Sequence, residues 1–227
     1  MLNPFRTRPT ISAATRRKWG ESVVQHLDAD PTVFRIESPS VQAYYREDFL
    51  DAARCQTLIQ LIDANRRPST TLANKGDPTF RTSESCDMNR WSSQVEPIDN
   101  AIADLLGITR ENGETMQGQR YAPGQQFRAH HDYFHAGQGY YDEVTKAGGQ
   151  RTWTAMIYLN DVTEGGATWF PQAGFRVEPR RGLLLAWNNM NADGTVNVDT
   201  IHEGMAVAKG TKYIVTKWFR EGRWLPN

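Results

Sequence analysis

Two stretches in the first half of the chain repeat apolar residues at the three- and four-residue spacing of an amphipathic helix. The first is FLDAARCQTLIQLIDA (49–64), in which Asp51 stands where a helix N-cap is expected. Its apolar positions are Leu50, Cys55, Leu58, Ile59 and Ile62. The second is VEPIDNAIADLLG (95–107), which ends on Gly107, a residue typical of helix C-termini. We therefore expect two helices that each bury one face.

The pattern changes from about residue 115, where short runs rich in β-branched and aromatic residues follow one another. These runs are TMQGQRY, QFRAHHDYF, TWTAMIYL, ATWF, FRVEP, GLLLAW and KYIVTKWF. Turn signals such as PGQ, PRRG and AKG separate them. Many short strands that follow helices, rather than alternate with them, predict a β-sandwich or barrel buttressed by helices. The Gly-rich run 135–150 is a candidate lid or substrate loop.

Composition narrows the choice of partners. The 227 residues carry 26 basic and 26 acidic side chains, so neither nucleic acid nor an anionic membrane is an expected partner. The sequence contains no apolar run as long as a membrane span. The two cysteines, Cys55 and Cys86, are too few for a disulfide framework or a cysteine-rich zinc site.

The first twenty residues contain five basic residues and no acidic one. They lack the apolar region of a secretory signal, so we expect a cytoplasmic protein with a frayed basic N-terminus, an organelle transit peptide being the alternative. We divide the chain into a basic extension or helix (1–30) and a single domain (31–227). Within that domain we expect a helical buttress over 49–107 and a β-rich core over about 115–220.

The segment RAHHDYFH (128–135) holds three of the five histidines. In an extended strand His130 and Asp132 share one face, whereas His131 and Tyr133 share the other. His202 is the one histidine of the β-rich half outside this segment. Two histidines and one carboxylate on one side of an ion form the facial triad of non-haem iron(II) enzymes.

The stretch QRYAPGQQFRAHHDYF resembles the Y-x-x-G-x-x-F…H-x-D segment of prolyl 4-hydroxylase-like 2-oxoglutarate/iron(II) dioxygenases. FRTSES, YLNDVTEGGATWFP, PRRGLLLAW and IHEGMAVAKGTKYIVTKWF resemble further segments of that family, in the same order. The likeness runs from about Glu37 to Phe219. It implies a mainly β fold with flanking helices around a double-stranded β-helix, a cupin-like jelly roll.

The resemblance also implies a set of site residues. Iron(II) is expected to bind to His130, Asp132 and His202, where 2-oxoglutarate and O2 act as co-substrates and ascorbate is a candidate reductant. The far carboxylate of 2-oxoglutarate is expected to pair with Lys212 and to accept hydrogen bonds from Tyr121 and Thr168. Candidates on the substrate side are Arg151, Arg81 and Trp218, although Arg151 equally suits a neighbouring carboxylate and Trp218 equally suits core packing.

The strand pattern supports an inward-pointing Lys212. In TKYIVTKWF it alternates with Ile214, Thr216 and Trp218, so all four share one face. A lysine on the face of apolar residues needs a charge partner, because an unpaired buried ion is very costly.

These expectations converge on an enzyme that hydroxylates an unactivated C–H bond. C4 of a prolyl residue in a peptide or protein is the favoured target, with release of succinate and CO2. FRTSES, which in the family belongs to a mobile loop over the substrate, and 135–150 are expected to flank a peptide groove. The alternatives are a hydroxylase of a free amino acid or another side chain, a non-catalytic cupin-like metal protein, and a zinc hydrolase.

Overall fold

The computed structural model describes residues 11–71 and 77–224, and within these ranges there are four α-helices. They are α1 (Ala13–Ala29), α2 (Ala52–Asn65), α3 (Glu96–Leu106) and α4 (Tyr141–Thr145). The Asp51 carboxylate accepts a hydrogen bond from the backbone N–H of Arg54 at 2.7 Å and caps α2. Gly107 ends α3 in the left-handed conformation, with φ of 63°. Both helices predicted from the apolar spacing are confirmed.

The expectation of a frayed N-terminus is wrong for helix α1. The Ser12 hydroxyl caps this helix by accepting a hydrogen bond from the Thr15 N–H at 3.2 Å. Val23 and Leu27, one turn apart, are buried in the same core as α2 and α3. Two buried apolar residues therefore anchor this helix, which lies within the stretch expected to be a basic extension or helix. Residues 1–10 of the predicted extension lie outside the described residues.

Fourteen strands are present in the described ranges. In chain order they are β1 (Phe34–Ile36), β2 (Ala43–Arg46), β3 (Arg67–Pro68), β4 (Glu84–Asp87), β5 (Gln117–Tyr121), β6 (Phe127–His130), β7 (Arg151–Tyr158), β8 (Glu164–Gly165), β9 (Thr168–Phe170), β10 (Phe175–Val177), β11 (Leu184–Asn188), β12 (His202–Gly204), β13 (Val207–Lys209) and β14 (Lys212–Arg220). The strands predicted after residue 115 are thus confirmed, with short 3-10 turns at Arg110–Asn112 and Val198–Thr200.

The strands form two main antiparallel sheets and a small ribbon. The larger sheet has the order β1-β2-β11-β7-β14-β5-β4-β3, the smaller has the order β10-β9-β12-β6, and β13 pairs with β8. Side chains from both main sheets line one inner cavity, as expected of a jelly roll.

Strand β14 shows how the larger sheet separates its two faces. Val215 and Phe219 pack into the core beneath α2 and α3. Lys212, Ile214, Thr216 and Trp218 line the cavity between the sheets, as the strand alternation predicts. The sheet therefore rests on the helices and presents its other face to the site. Across the described residues, no helix is long and apolar enough to cross a membrane.

The segment FRTSES is a loop only in its first four residues. Its last two residues begin β4, which pairs with β3 on one side and β5 on the other. Cys86 is buried in the helix-side core, where burial raises the pKa of its thiol. Backbone pairing on both edges fixes the end of this stretch, and its beginning, at Phe80 and Arg81, reaches the cavity beside the site.

Candidate active site

Three predicted residues meet between the two sheets. His130 ends β6 and His202 begins β12, and the two residues are direct partners in the antiparallel pairing of these strands. Asp132 follows β6, with its Oδ1 3.9 Å from the Nε2 of His130 and its Oδ2 3.8 Å from the Nε2 of His202. One ligand atom from each residue lies within 4.8 Å of the other two. This spacing suits a single metal ion.

Hydrogen bonds fix which nitrogen of each histidine faces the ion. The Nδ1 of His130 is 2.8 Å from the carbonyl oxygen of Arg128, and the Nδ1 of His202 is 2.9 Å from that of Thr200. A carbonyl oxygen only accepts, so each Nδ1 carries the hydrogen and each Nε2 keeps its lone pair. Metal-binding histidines are typically oriented in this way. Two neutral imidazoles and one carboxylate are a donor set that fits iron(II).

The charge states also suit a metal site. Burial, reinforced by His202, lowers the pKa of His130 to about 3, so its imidazole stays neutral. Burial alone raises the pKa of Asp132, but the two histidines, Arg151 and a hydrogen bond from Thr154 bring it below its ordinary value. Asp132 therefore remains a carboxylate.

A buried chain of hydrogen bonds that the sequence analysis did not predict supports Asp132. The Thr154 hydroxyl donates to Oδ2 of Asp132 at 2.8 Å, and the side-chain amide of Asn189 donates to Thr154 at 3.0 Å. Thr154 and Asn189 are both fully buried. Outer partners of this kind orient a ligand and strengthen metal binding.

We expect Asn189→Ala to weaken metal binding by about tenfold, because the Thr154 hydroxyl loses the donor that orients it towards Asp132. Titration of the metal-free protein with cobalt(II) measures this affinity. Asn191→Ala is the matched control, since that amide lies in the same loop and bonds only to Thr195 and the Val196 carbonyl. Unchanged cobalt affinity in Asn189→Ala would show that the chain does not position the ligand.

Lys212 lies deeper in the same cavity. It is 1% exposed, and its Nζ is 5.2 Å from the ring centre of Tyr121 and 5.4 Å from that of Tyr158. Among the described residues, no carboxylate lies within 4 Å of this ammonium. Burial lowers the pKa of Lys212 to about 7. The cavity thus holds a desolvated cation that an anionic ligand would stabilise.

The two hydroxyls predicted to assist Lys212 line the cavity but already have protein partners. Tyr121 donates its hydrogen to Oε1 of Gln119 at 2.7 Å. The Thr168 hydroxyl accepts a hydrogen bond from Tyr158 at 2.6 Å and donates to the sulfur of Met156 at 4.0 Å. Gln119 and Tyr158 are neighbours that sequence reasoning missed. Co-substrate binding by Tyr121 and Thr168 stays a prediction.

A larger cavity of about 670 Å³ opens beside the triad. Arg151 and Trp218 form one part of its wall, with the guanidinium carbon 4.1 Å from the Trp218 ring centre. Arg151 also makes a bidentate ion pair with Glu114, at 2.6 and 2.8 Å. It thus neutralises a carboxylate, as the alternative interpretation held, and still borders the cavity. Further aromatic lining comes from Phe80, Phe127, Tyr133, Phe134, Tyr140 and Trp224.

The other two histidines of the cluster turn away from the ion position. The Nε2 of His131 is 2.9 Å from the carbonyl oxygen of Val198, and its ring packs against Tyr133, as the strand alternation predicts. His135 is exposed at the start of the 135–150 segment. Gln150 closes the base of that segment, bonding both the N–H and the carbonyl of Phe134 at 2.7 and 2.8 Å. Whether the segment acts as a lid stays a prediction.

Comparison with known proteins identifies the family. Residues 116–220 match the family model of the 2OG-Fe(II) oxygenase superfamily. Prolyl 4-hydroxylase 5 of Arabidopsis thaliana is 35% identical over 204 residues, which span 78% of this chain and 68% of the relative. The relative named "Probable prolyl 4-hydroxylase 3", from the same plant, is 32% identical over 98% of this chain and 81% of its own length. The chain belongs to the prolyl 4-hydroxylase-like 2OG-Fe(II) oxygenases.

A solved structure agrees with this assignment. The viral collagen prolyl hydroxylase from Paramecium Bursaria Chlorella virus-1, in a 2OG complex, superposes with a TM-score of 0.61 at 25% identity. The match covers 86% of this chain and 98% of the viral chain. The expected double-stranded β-helix and the expected class, a 2-oxoglutarate-dependent dioxygenase that uses iron(II) and O2, are confirmed. The two alternative predictions, a metal-binding protein without oxygen chemistry and a zinc hydrolase, are therefore wrong.

Proposed function

We propose that this protein hydroxylates C4 of a prolyl residue in a peptide or protein, releasing succinate and CO2. The observation that carries the proposal is the buried, unpaired Lys212 in the same cavity as His130, Asp132 and His202. An iron ion with three protein ligands keeps positions free for a keto acid and dioxygen. A cation at the end of the cavity then suits the remaining carboxylate of 2-oxoglutarate.

The residues of the chain hold and orient the reactants. His130, Asp132 and His202 would bind the iron, and Lys212 would fix 2-oxoglutarate at its far end. Iron(II) and 2-oxoglutarate, when bound, supply the oxidising chemistry. The two sheets bury Asp132, His202 and Lys212, and burial of this kind protects reactive species from side reactions.

The form of the outer cavity supports a peptidyl rather than a free amino acid substrate. Its volume of about 670 Å³ greatly exceeds that of one amino acid, and aromatic rings line much of it. Grooves lined by aromatic side chains bind proline-rich segments, whose polyproline II conformation is formed before binding. The two plant relatives are both named as prolyl 4-hydroxylases, which favours the same substrate class.

Succinate release measured with a proline-rich peptide and with free proline tests the substrate class, and mass spectrometry of the peptide tests the product. We expect a mass increase of one oxygen on proline in the peptide and only background succinate with free proline. Turnover of free proline without turnover of the peptide would contradict the proposal.

Two finer expectations stay predictions within this proposal. Ascorbate is expected to act as a reductant that keeps the iron in its divalent state. A cytoplasmic location is the other.

A further inference from the structure

Arg81 borders the outer cavity and is held in place by three neutral groups. Its Nε donates to the Ser83 hydroxyl at 3.2 Å, one terminal nitrogen donates to the Thr70 carbonyl at 3.3 Å, and the other donates to Oε1 of Gln117 at 2.8 Å. A guanidinium has five N–H donors, so two are left. The side chain is therefore oriented in advance, with two donors to spare.

No carboxylate neutralises Arg81. Within the part of the chain that the structure describes, no Asp or Glu oxygen lies within 4 Å of its guanidinium, although Arg151 and Arg220 both pair with Glu114. The Arg81 side chain is half-buried, and burial lowers its pKa. Asp132 lies near enough to act on Arg81 electrostatically. The charge of Asp132, however, would be balanced by the expected metal ion.

The groups of the loaded centre would balance one another in charge and leave Arg81 without a counter-charge. A bound iron(II), its Asp132 ligand, the 2-oxoglutarate dianion and protonated Lys212 would together carry no net charge. None of these groups would compensate Arg81. A half-buried guanidinium without a charge partner is energetically costly, and a carboxylate that accepts two of its N–H groups lowers that cost.

Arg81 also lies close to the reacting centre. Its guanidinium carbon is 4.6 Å from the ring centre of Phe127, and Phe127 stacks on His130 with 3.6 Å between ring centres. At most about 8 Å thus separates Arg81 from the His130 ring, a distance that two or three residues span in polyproline II at about 3.1 Å each.

We propose that Arg81 is the anion subsite of the substrate groove and that the preferred peptide carries an acidic side chain within about three residues of the hydroxylated proline. This inference rests on the proposed function and specifies its substrate class. The acidic side chain would accept hydrogen bonds from the two free N–H groups of Arg81, while the aromatic wall contacts the neighbouring proline rings.

A matched set of proline-rich peptides tests this inference. One glutamate is placed at each of the three positions on either side of a single target proline, and each peptide has a glutamine counterpart. We expect the best glutamate peptide to exceed its glutamine counterpart at least tenfold in kcat/KM. In Arg81→Gln this ratio should fall to about one, through KM, while the glutamine peptide is still hydroxylated.

The matched control is Arg54→Gln, which makes the same change in net charge at an exposed position of α2. It should keep the wild-type ratio. Equal kcat/KM for all glutamate and glutamine pairs in the wild type, or an unchanged ratio in Arg81→Gln, would overturn the inference and leave prolyl hydroxylation intact. If the wild type hydroxylates no peptide of the set, the proposed function fails together with it.

Discussion

His202→Ala is expected to lose iron binding and the formation of succinate from 2-oxoglutarate, each by more than about 100-fold. Removing a ligand costs more than removing an outer partner, which alone costs 10- to 100-fold. No other side chain can take the place of His202. Among the described residues there is one group of histidine, cysteine and acidic side chains that could hold a metal ion, and His202 belongs to it. Iron retained after gel filtration and succinate released per hour are the two measurements.

His131→Ala is the control for this variant. The His131 imidazole is adjacent to the triad in sequence, but its Nε2 meets the Val198 carbonyl instead of the ion position. It should retain iron like the wild type. Succinate formation at the wild-type rate in His202→Ala would contradict the assignment of the triad.

Lys212→Met is expected to raise the dissociation constant for 2-oxoglutarate about 100-fold or more. The variant preserves most of the side-chain length but removes the charge, and breaking a buried ion pair costs about 3–5 kcal/mol. Anaerobic titration of the iron-loaded protein with 2-oxoglutarate measures the affinity. Lys209→Met, at an exposed position of β13, is the control and should bind 2-oxoglutarate like the wild type. Equal affinity in Lys212→Met would remove Lys212 from the co-substrate site.

The same substitution should change how stability depends on pH. Without ligands the pKa of Lys212 is about 7 in the folded protein, against an ordinary value of 10.5. Below pH 7 both the folded and the unfolded chain bind this proton. Between about 7 and 10.5 the unfolded chain binds more, so Lys212 makes the free energy of unfolding rise with pH. Urea denaturation at pH 7 and pH 9 should therefore show a smaller rise in Lys212→Met than in the wild type, and an equal rise would contradict the lowered pKa.

The sequence predicted best those features that depend on local periodicity. Alternation along β14 placed Lys212 and Trp218 on one face, and alternation after β6 separated His130 from His131. Predicting the facial triad also required one long-range contact, the pairing of His130 with His202 between β6 and β12. The family resemblance supplied that contact, since periodicity alone does not determine which strand pairs with which.

The features that the sequence did not predict depend on contacts between distant segments. Thr154 reaches Asn189 because β7 pairs with β11 in a register that sets Trp153 opposite Asn188. Glu114 forms ion pairs with both Arg151 and Arg220, and no residue spacing along the chain indicates these pairs. Such contacts follow from strand register, and a change of one residue in register would move every side chain to the opposite face.

The most direct test of the central claim is an anaerobic absorption spectrum. Iron(II) and then 2-oxoglutarate are added to the metal-free protein, and the visible metal-to-ligand charge-transfer band of a chelated keto acid is recorded. We expect a band in the wild type, its loss in His202→Ala, and its appearance only at much higher 2-oxoglutarate concentration in Lys212→Met. Absence of the band in the wild type, with iron demonstrably bound, would contradict a shared site for iron and 2-oxoglutarate.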